Sequence, residues 1–247
     1  MRHYEKILPT QHHGMFLYEG EHEKFVEKLY EFSKNHGSIE EPENIFRLHP
    51  CDDIDHVFIS SNPVQIRFLC FLMRIANARR VLEVGTCIGI STMFFARELL
   101  SRGDSVSSLH VTTIEKYHRF SDIAEVNFRS NRLDNIIELV RGDAGYYLSS
   151  LDATVKFDFV YIDGGKENYA EYFRSVYSHL TIGGLIIVDD VFFHGDVLNS
   201  TPSSPKSSGV LECLSISDSL EGCYKCLIPI CNGMLLVLKL RETDAAS

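Results

Sequence analysis

The sequence predicts an α/β fold: a parallel sheet covered by helices on both faces and closed by an antiparallel hairpin. Three observations predict it. Short, nearly continuous apolar runs recur at 80–84, 109–114, 136–140, 157–162 and 185–188. Helix-length segments separate them, near 91–101, 118–131, 144–151 and 168–180. Strands buried on both faces need apolar residues at every position, and strand–helix alternation brings them together in parallel. Two last apolar runs, 223–230 and 234–240, flank Cys231-Asn232-Gly233. Asn-Gly between apolar runs is a hairpin signal.

The N-terminal quarter is organised differently. Residues 1–18 carry His12, His13 and Gly14 without a clear period, and are expected to form an arm or lid. Over 19–36 the apolar Phe25, Leu29 and Phe32 share one helical face, and Gly37 is the expected stop. Residues 37–61 are acidic and irregular. Asn62-Pro63 then reads as an N-cap followed by proline in the first helical position. Its helix should run to about Asn77 and, being apolar on most sides, should be buried. Residues 199–209, NSTPSSPKSSG, read as a polar linker. The expected division is an arm and helix over 1–61, serving the acceptor side or an oligomer contact, and a main domain over 62–247.

Composition bounds the class. A chain of 247 residues, 45% hydrophobic, suits one α/β domain with extra N-terminal structure. A net charge of −10 argues against a surface built to coat nucleic acid, although Arg129, Arg132 and Arg141 could form a modest patch. There is no membrane-length run and no charged-then-apolar leader pattern, so a cytoplasmic protein is expected. Six of the seven cysteines are expected as small core residues. Cys223 and Cys226 form a C-x-x-C, but within a strand that spacing sends the two side chains to opposite faces, which favours a structural reading.

The chemistry concentrates at strand ends. RVLEVGTCIGIST leads from a strand into a helix, and Gly85 and Gly89 let a ligand approach the backbone. Cys87 stands where the G-x-G-x-x-G fingerprint has its second glycine, which weakens a dinucleotide reading and suits a cofactor without phosphates. Glu115 ends the next strand, where an acid can accept from both ribose hydroxyls. Asp143, in Gly142-Asp143-Ala144, either lies near an adenine or caps the following helix. FDFVYIDGGKENY places Asp163 and Lys166 after one strand, and GGLIIVDDVFFHG places Asp189 and Asp190 after another. Carboxylates at buried strand ends need a cation, donors or a ligand. These features together suggest a nucleotide-type cofactor beside a divalent metal.

The order and spacing of these motifs, over roughly 55–240, resemble the metal-dependent, S-adenosylmethionine-using O-methyltransferases of the catechol and caffeoyl-CoA type. The resemblance implies a Rossmann-like, doubly wound, seven-stranded methyltransferase sheet. It implies that Glu83, Gly85 and Ser91 line the methionine side of the cofactor, that Glu115 holds the ribose, and that Asp143 and Ala144 lie by the adenine. It places Asn62 near the cofactor carboxylate. Asp163 would touch the cofactor side and bind the metal, with Asp189 and Asp190 as the other ligands. Lys166 would be the general base. Magnesium suits such oxygen donors, and manganese or calcium is open. The family's usual asparagine is Asp190 here, and two glycines, Gly164 and Gly165, loosen the segment before Lys166.

The acceptor is expected to be a small hydroxylated molecule with adjacent oxygens. A hydroxylated wobble uridine in tRNA is the alternative, and a non-catalytic binding protein on the same scaffold is a third reading. The family also makes a homodimer plausible. Phe192, Phe193, Tyr161 and Tyr169 are candidate acceptor walls. His194 is either substrate-facing or an ordinary loop histidine. His49, Cys51, Asp52, Asp53, Asp55 and His56 fit no standard zinc spacing and read as a solvated acidic loop.

Overall fold

A computed structural model describes residues 28, 31–50, 62–199 and 201–242. The arm with His12, His13 and Gly14, and the segment holding Cys51, Asp52, Asp53, Asp55 and His56, lie outside the described residues.

One sheet of seven strands organises the rest: β1 Arg80–Val84, β2 His110–Glu115, β3 Ile137–Arg141, β4 Phe157–Ile162, β5 Leu180–Val188, β6 Cys223–Ile228 and β7 Met234–Lys239. Their order is β3-β2-β1-β4-β5-β7-β6. The first five pair in parallel, and β7 lies antiparallel between β5 and β6. The chain reverses direction across the sheet between β1 and β4, which opens a crevice at their carboxyl ends.

From residue 62 on, the α-helices among the described residues are α1 Pro63–Ile75, α2 Ile90–Leu100, α3 His118–Ser130, α4 Ala144–Ser149, α5 Tyr169–Tyr177 and α6 Pro205–Ser219. They cover two apolar cores, one on each face. Ile66, Leu69, Met73, Phe95 and Phe159 belong to one, and Leu82, Val160, Phe173, Val176 and Val210 to the other. No helix among the described residues is long and apolar enough to cross a membrane.

Asn62 caps α1 as expected, its Oδ1 accepting from Val64 N at 2.8 Å. Three expectations are corrected. First, α1 is not buried on most sides: Phe71 and Ile75 are 58% and 66% exposed, because only one stripe of the helix meets the core. Second, the presumed linker of 199–209 ends inside a helix. Ser204 caps α6, Pro205 opens it, and Ser207, Gly209, Val210 and Cys213 are buried. Third, among the described cysteines only Cys70 and Cys213 are buried, while Cys226 and Cys231 are exposed in and after the edge strand β6. The segment before α1 docks on the domain. Phe46 packs edge-on against Phe94, ring centroids 5.0 Å apart, and the backbone N–H groups of Arg47 and His49 donate to Asn131 and Asn127.

Candidate active site

A cleft of about 320 Å³ lies where β1, β2 and β4 end. Its floor is backbone. Gly85, at φ +102°, sits so close to the carbonyl of Asp163 that a Cβ there would collide with it. Cys87 adopts φ +50°, a conformation glycine would take without strain, so its backbone follows the glycine turn although its side chain does not. Cys87 N donates to Glu115 Oε2 and Tyr117 N to Glu115 Oε1, each at 2.8 Å. Burial raises the Glu115 carboxyl, and these backbone donors oppose the rise.

Gly85, Ser91, Glu115, Ala144, Asp163 and Lys166 all face this cleft. Three residues expected to hold the cofactor do not line it. Glu83 is fully buried behind it and accepts from Ser91 Oγ at 2.5 Å, Thr113 Oγ1 at 2.6 Å, and Thr92 Oγ1. Burial outweighs those donors and pushes Glu83 up to about 7. Asp143 caps α4 through Gly145 N at 3.0 Å and pairs with Lys116 at 3.0 Å. Asn62 serves α1. Sequence reasoning missed Tyr117, Phe120 and Tyr172 on the walls, and Lys206 at the start of α6.

The acid cluster forms at one end of the cleft. Tyr161 and Ile162 on β4 pair with Ile187 and Val188 on β5, so Asp163 and Asp189 leave neighbouring strands side by side. Asp190 follows at φ +55°. Lys166 Nζ lies 2.8 Å from Asp190 Oδ2 and 3.4 Å from Asp163 Oδ1. Burial raises Asp163 well above the ordinary carboxylate range, and the Asp189 charge adds to the rise. Burial would depress the Lys166 ammonium, but the charges of Asp163 and Asp190 raise it more. Asp189 is 4% exposed and accepts from Gln65 Nε2 and Tyr161 OH, both at 2.5 Å. Neither donor was foreseen, although a glutamine on the buried stripe of α1 is a signal that the sequence carries.

Among the described residues no three or more His, Cys, Asp or Glu side chains gather into a ready metal-binding group. The Lys166 ammonium instead stands between two of the carboxylates. Beneath them, the fully buried Tyr169 hydroxyl has no hydrogen-bond partner. Tyr161 and Tyr169 are fully buried and belong to the two apolar cores, not to acceptor walls. Phe192 packs over Gly233, whose added Cβ would sit 2.6 Å from the ring. His194 is exposed, and its backbone N–H donates to Asn232 Oδ1 at 2.9 Å. Of the three arginines considered for nucleic acid, Arg129 and Arg141 are paired with acids on α3.

The chain is similar in sequence and in fold to known proteins. The chain is 35% identical over 140 residues to a catechol O-methyltransferase of Mycobacterium tuberculosis, covering 57% of this chain and 60% of that one. It is 28% identical over 198 residues to a caffeoyl-CoA O-methyltransferase of Populus kitakamiensis, covering 76% and 74%. The fold superposes with a TM-score of 0.78 on the O-methyltransferase TomG of Streptomyces achromogenes, solved in complex with S-adenosylmethionine, at 24% identity over 90% of this chain and 100% of that one. The O-methyltransferase family profile matches residues 51–240. The chain belongs to the O-methyltransferase family and is an S-adenosylmethionine-dependent O-methyltransferase.

Proposed function

We propose that this enzyme methylates a hydroxyl of a small acceptor with adjacent oxygens, such as a catechol, beside a divalent cation held by Asp163, Asp189 and Asp190. One observation carries the reading: Asp163 and Lys166 line the cleft formed by the glycine turn and Glu115, and Lys166 pairs with Asp190 there. The donor set fits a hard cation. Asp163 and Asp190 flank the Lys166 ammonium, Asp189 leaves the neighbouring strand end beside Asp163, and Tyr169 offers an orphaned O–H beneath them. Magnesium prefers such oxygens and keeps room for waters or substrate oxygens; manganese and calcium share the chemistry.

Bound at this site, S-adenosylmethionine would supply the sulfonium methyl, and the cation would make an adjacent hydroxyl more acidic. Gly85 would let the cofactor lie against the backbone, and Ser91 and Asp163 would flank its methionine end. Glu115, with both oxygens already fixed by backbone donors, would hold the ribose. Ala144 would face the adenine, and Asp143 would act there through the α4 cap. Glu83 would support Ser91 from behind, and Asn62 would set the start of α1. Lys166 would take the acceptor's proton. It can be neutral only when another cation balances Asp163 and Asp190, because as it stands the ion pair keeps the proton on it. Tyr117, Phe120 and Tyr172 would screen the cofactor from water.

The test is calorimetric titration with S-adenosylmethionine, with and without magnesium and with a chelator, followed by an acceptor screen of catechols and hydroxylated tRNA. Micromolar cofactor binding and chelator-sensitive methylation of catechols are expected. Methylation of tRNA alone would overturn the small-acceptor reading, and undiminished turnover in chelator would overturn the metal.

A further inference from the structure

We propose that Gln65 and Tyr161 are positioning residues that hold Asp189 as a one-oxygen cation ligand. This rests on the metal reading above. A carboxylate oxygen has two lone pairs. Both on Asp189 Oδ2 are used, by Gln65 Nε2 and Tyr161 OH at 2.5 Å each. Oδ1 accepts only the backbone N–H of Asp190, at 2.8 Å. One acceptor site therefore remains on the whole group, and it lies on Oδ1. Asp189 can serve a cation through that oxygen and cannot chelate it with both.

The donors stand on rigid elements. Tyr161 is fully buried in β4, and its ring meets Phe95 edge-on with centroids 5.8 Å apart. Gln65 is 3% exposed in the first turn of α1, a turn fixed by the Asn62 cap and by Pro63. The two approach Asp189 from a strand and from a covering helix, so the carboxylate cannot rotate without breaking a buried hydrogen bond. Outer donors of this kind typically change metal affinity about 10–100-fold.

The experiment titrates manganese into the full chain by electron paramagnetic resonance, using wild type, Asp189→Ala, Tyr161→Phe, Gln65→Met and the Tyr161→Phe/Gln65→Met double variant. S-adenosylhomocysteine affinity and thermal melting are measured on the same samples. Each single variant should weaken manganese about 10–100-fold, the double should approach Asp189→Ala, and S-adenosylhomocysteine affinity should stay within about 2-fold. Unchanged manganese affinity in both single variants, with loss in Asp189→Ala, overturns the proposal. So does an equal fall in the affinity of both ligands, which would mark a merely structural role. If wild type binds no manganese, or if Asp189→Ala binds it fully, the metal reading itself fails and takes this proposal with it. Tyr161→Phe removes one oxygen and keeps the ring, so it decides alone should Gln65→Met not fold.

Discussion

The two ends of the cleft are built on different principles. At the glycine turn, backbone does the positioning: Gly85 touches the carbonyl of Asp163, and Cys87 N and Tyr117 N fix Glu115. At the acid cluster, side chains from four segments converge: Gln65 from α1, Tyr161 from β4, Lys166 from the turn after it, and Asp189 and Asp190 from the end of β5. The first end presents a fixed shape. The second is a set of charges in which Lys166 pairs with Asp163 and Asp190. Binding energy and reaction chemistry should therefore separate under mutation.

The largest effect should come from Lys166→Ala. Turnover should fall by about 10²–10⁴-fold, the range for losing a general base, while calorimetry shows cofactor affinity little changed. An equal fall in both would erase the distinction between the two ends. Next is the buried Glu83, whose carboxyl is raised from 4.5 to about 7. Because the folded state favours its protonated form, its contribution to stability should be full below about pH 4.5 and be lost as pH rises towards about 7, by roughly 3 kcal/mol. Denaturant midpoints across that window would measure the slope, and Glu83→Gln should flatten it. Glu115→Ala should then weaken S-adenosylhomocysteine by about 10–100-fold, as for a lost charge-assisted hydrogen bond, and leave turnover at saturation nearly intact. The smallest effect is expected of Gly209→Ala. Its new methyl would meet the carbonyls of Lys166 and Glu167, costing about 1–3 kcal/mol and lowering turnover several-fold by shifting the turn.

How much of this was legible in the sequence follows the same division. The five parallel strands could be read because burial on both faces writes itself as unbroken apolar runs. The strand-end acids could be read because each closes such a run. Helix α6 was hidden by its serines, although Ser204-Pro205 repeats the cap-and-proline signature that revealed α1 at Asn62-Pro63. Asp143 admitted two roles, and its side chain is seen capping α4. Gln65 was missed, and Tyr161 was read as an acceptor wall, because their shared role arises only when α1 and β4 meet β5. That contact spans 124 residues for the glutamine and 28 for the tyrosine, beyond any local pattern.

The position of β7 has a consequence for how the enzyme is made. Although it follows every other strand among the described residues, it is inserted beside β5 and inside β6. The turn that precedes it receives Val191 N at Gly233 O and Phe192 N at Asn232 O, and so braces the chain just past Asp189 and Asp190. During synthesis the glycine turn and Glu115 can assemble early, from β1, β2 and their helices, whereas the acid cluster waits for β7, which is made after all five parallel strands. A nascent chain would pass through an interval with its glycine turn formed and its acid cluster unfinished, exposing the edge of β5 to other chains.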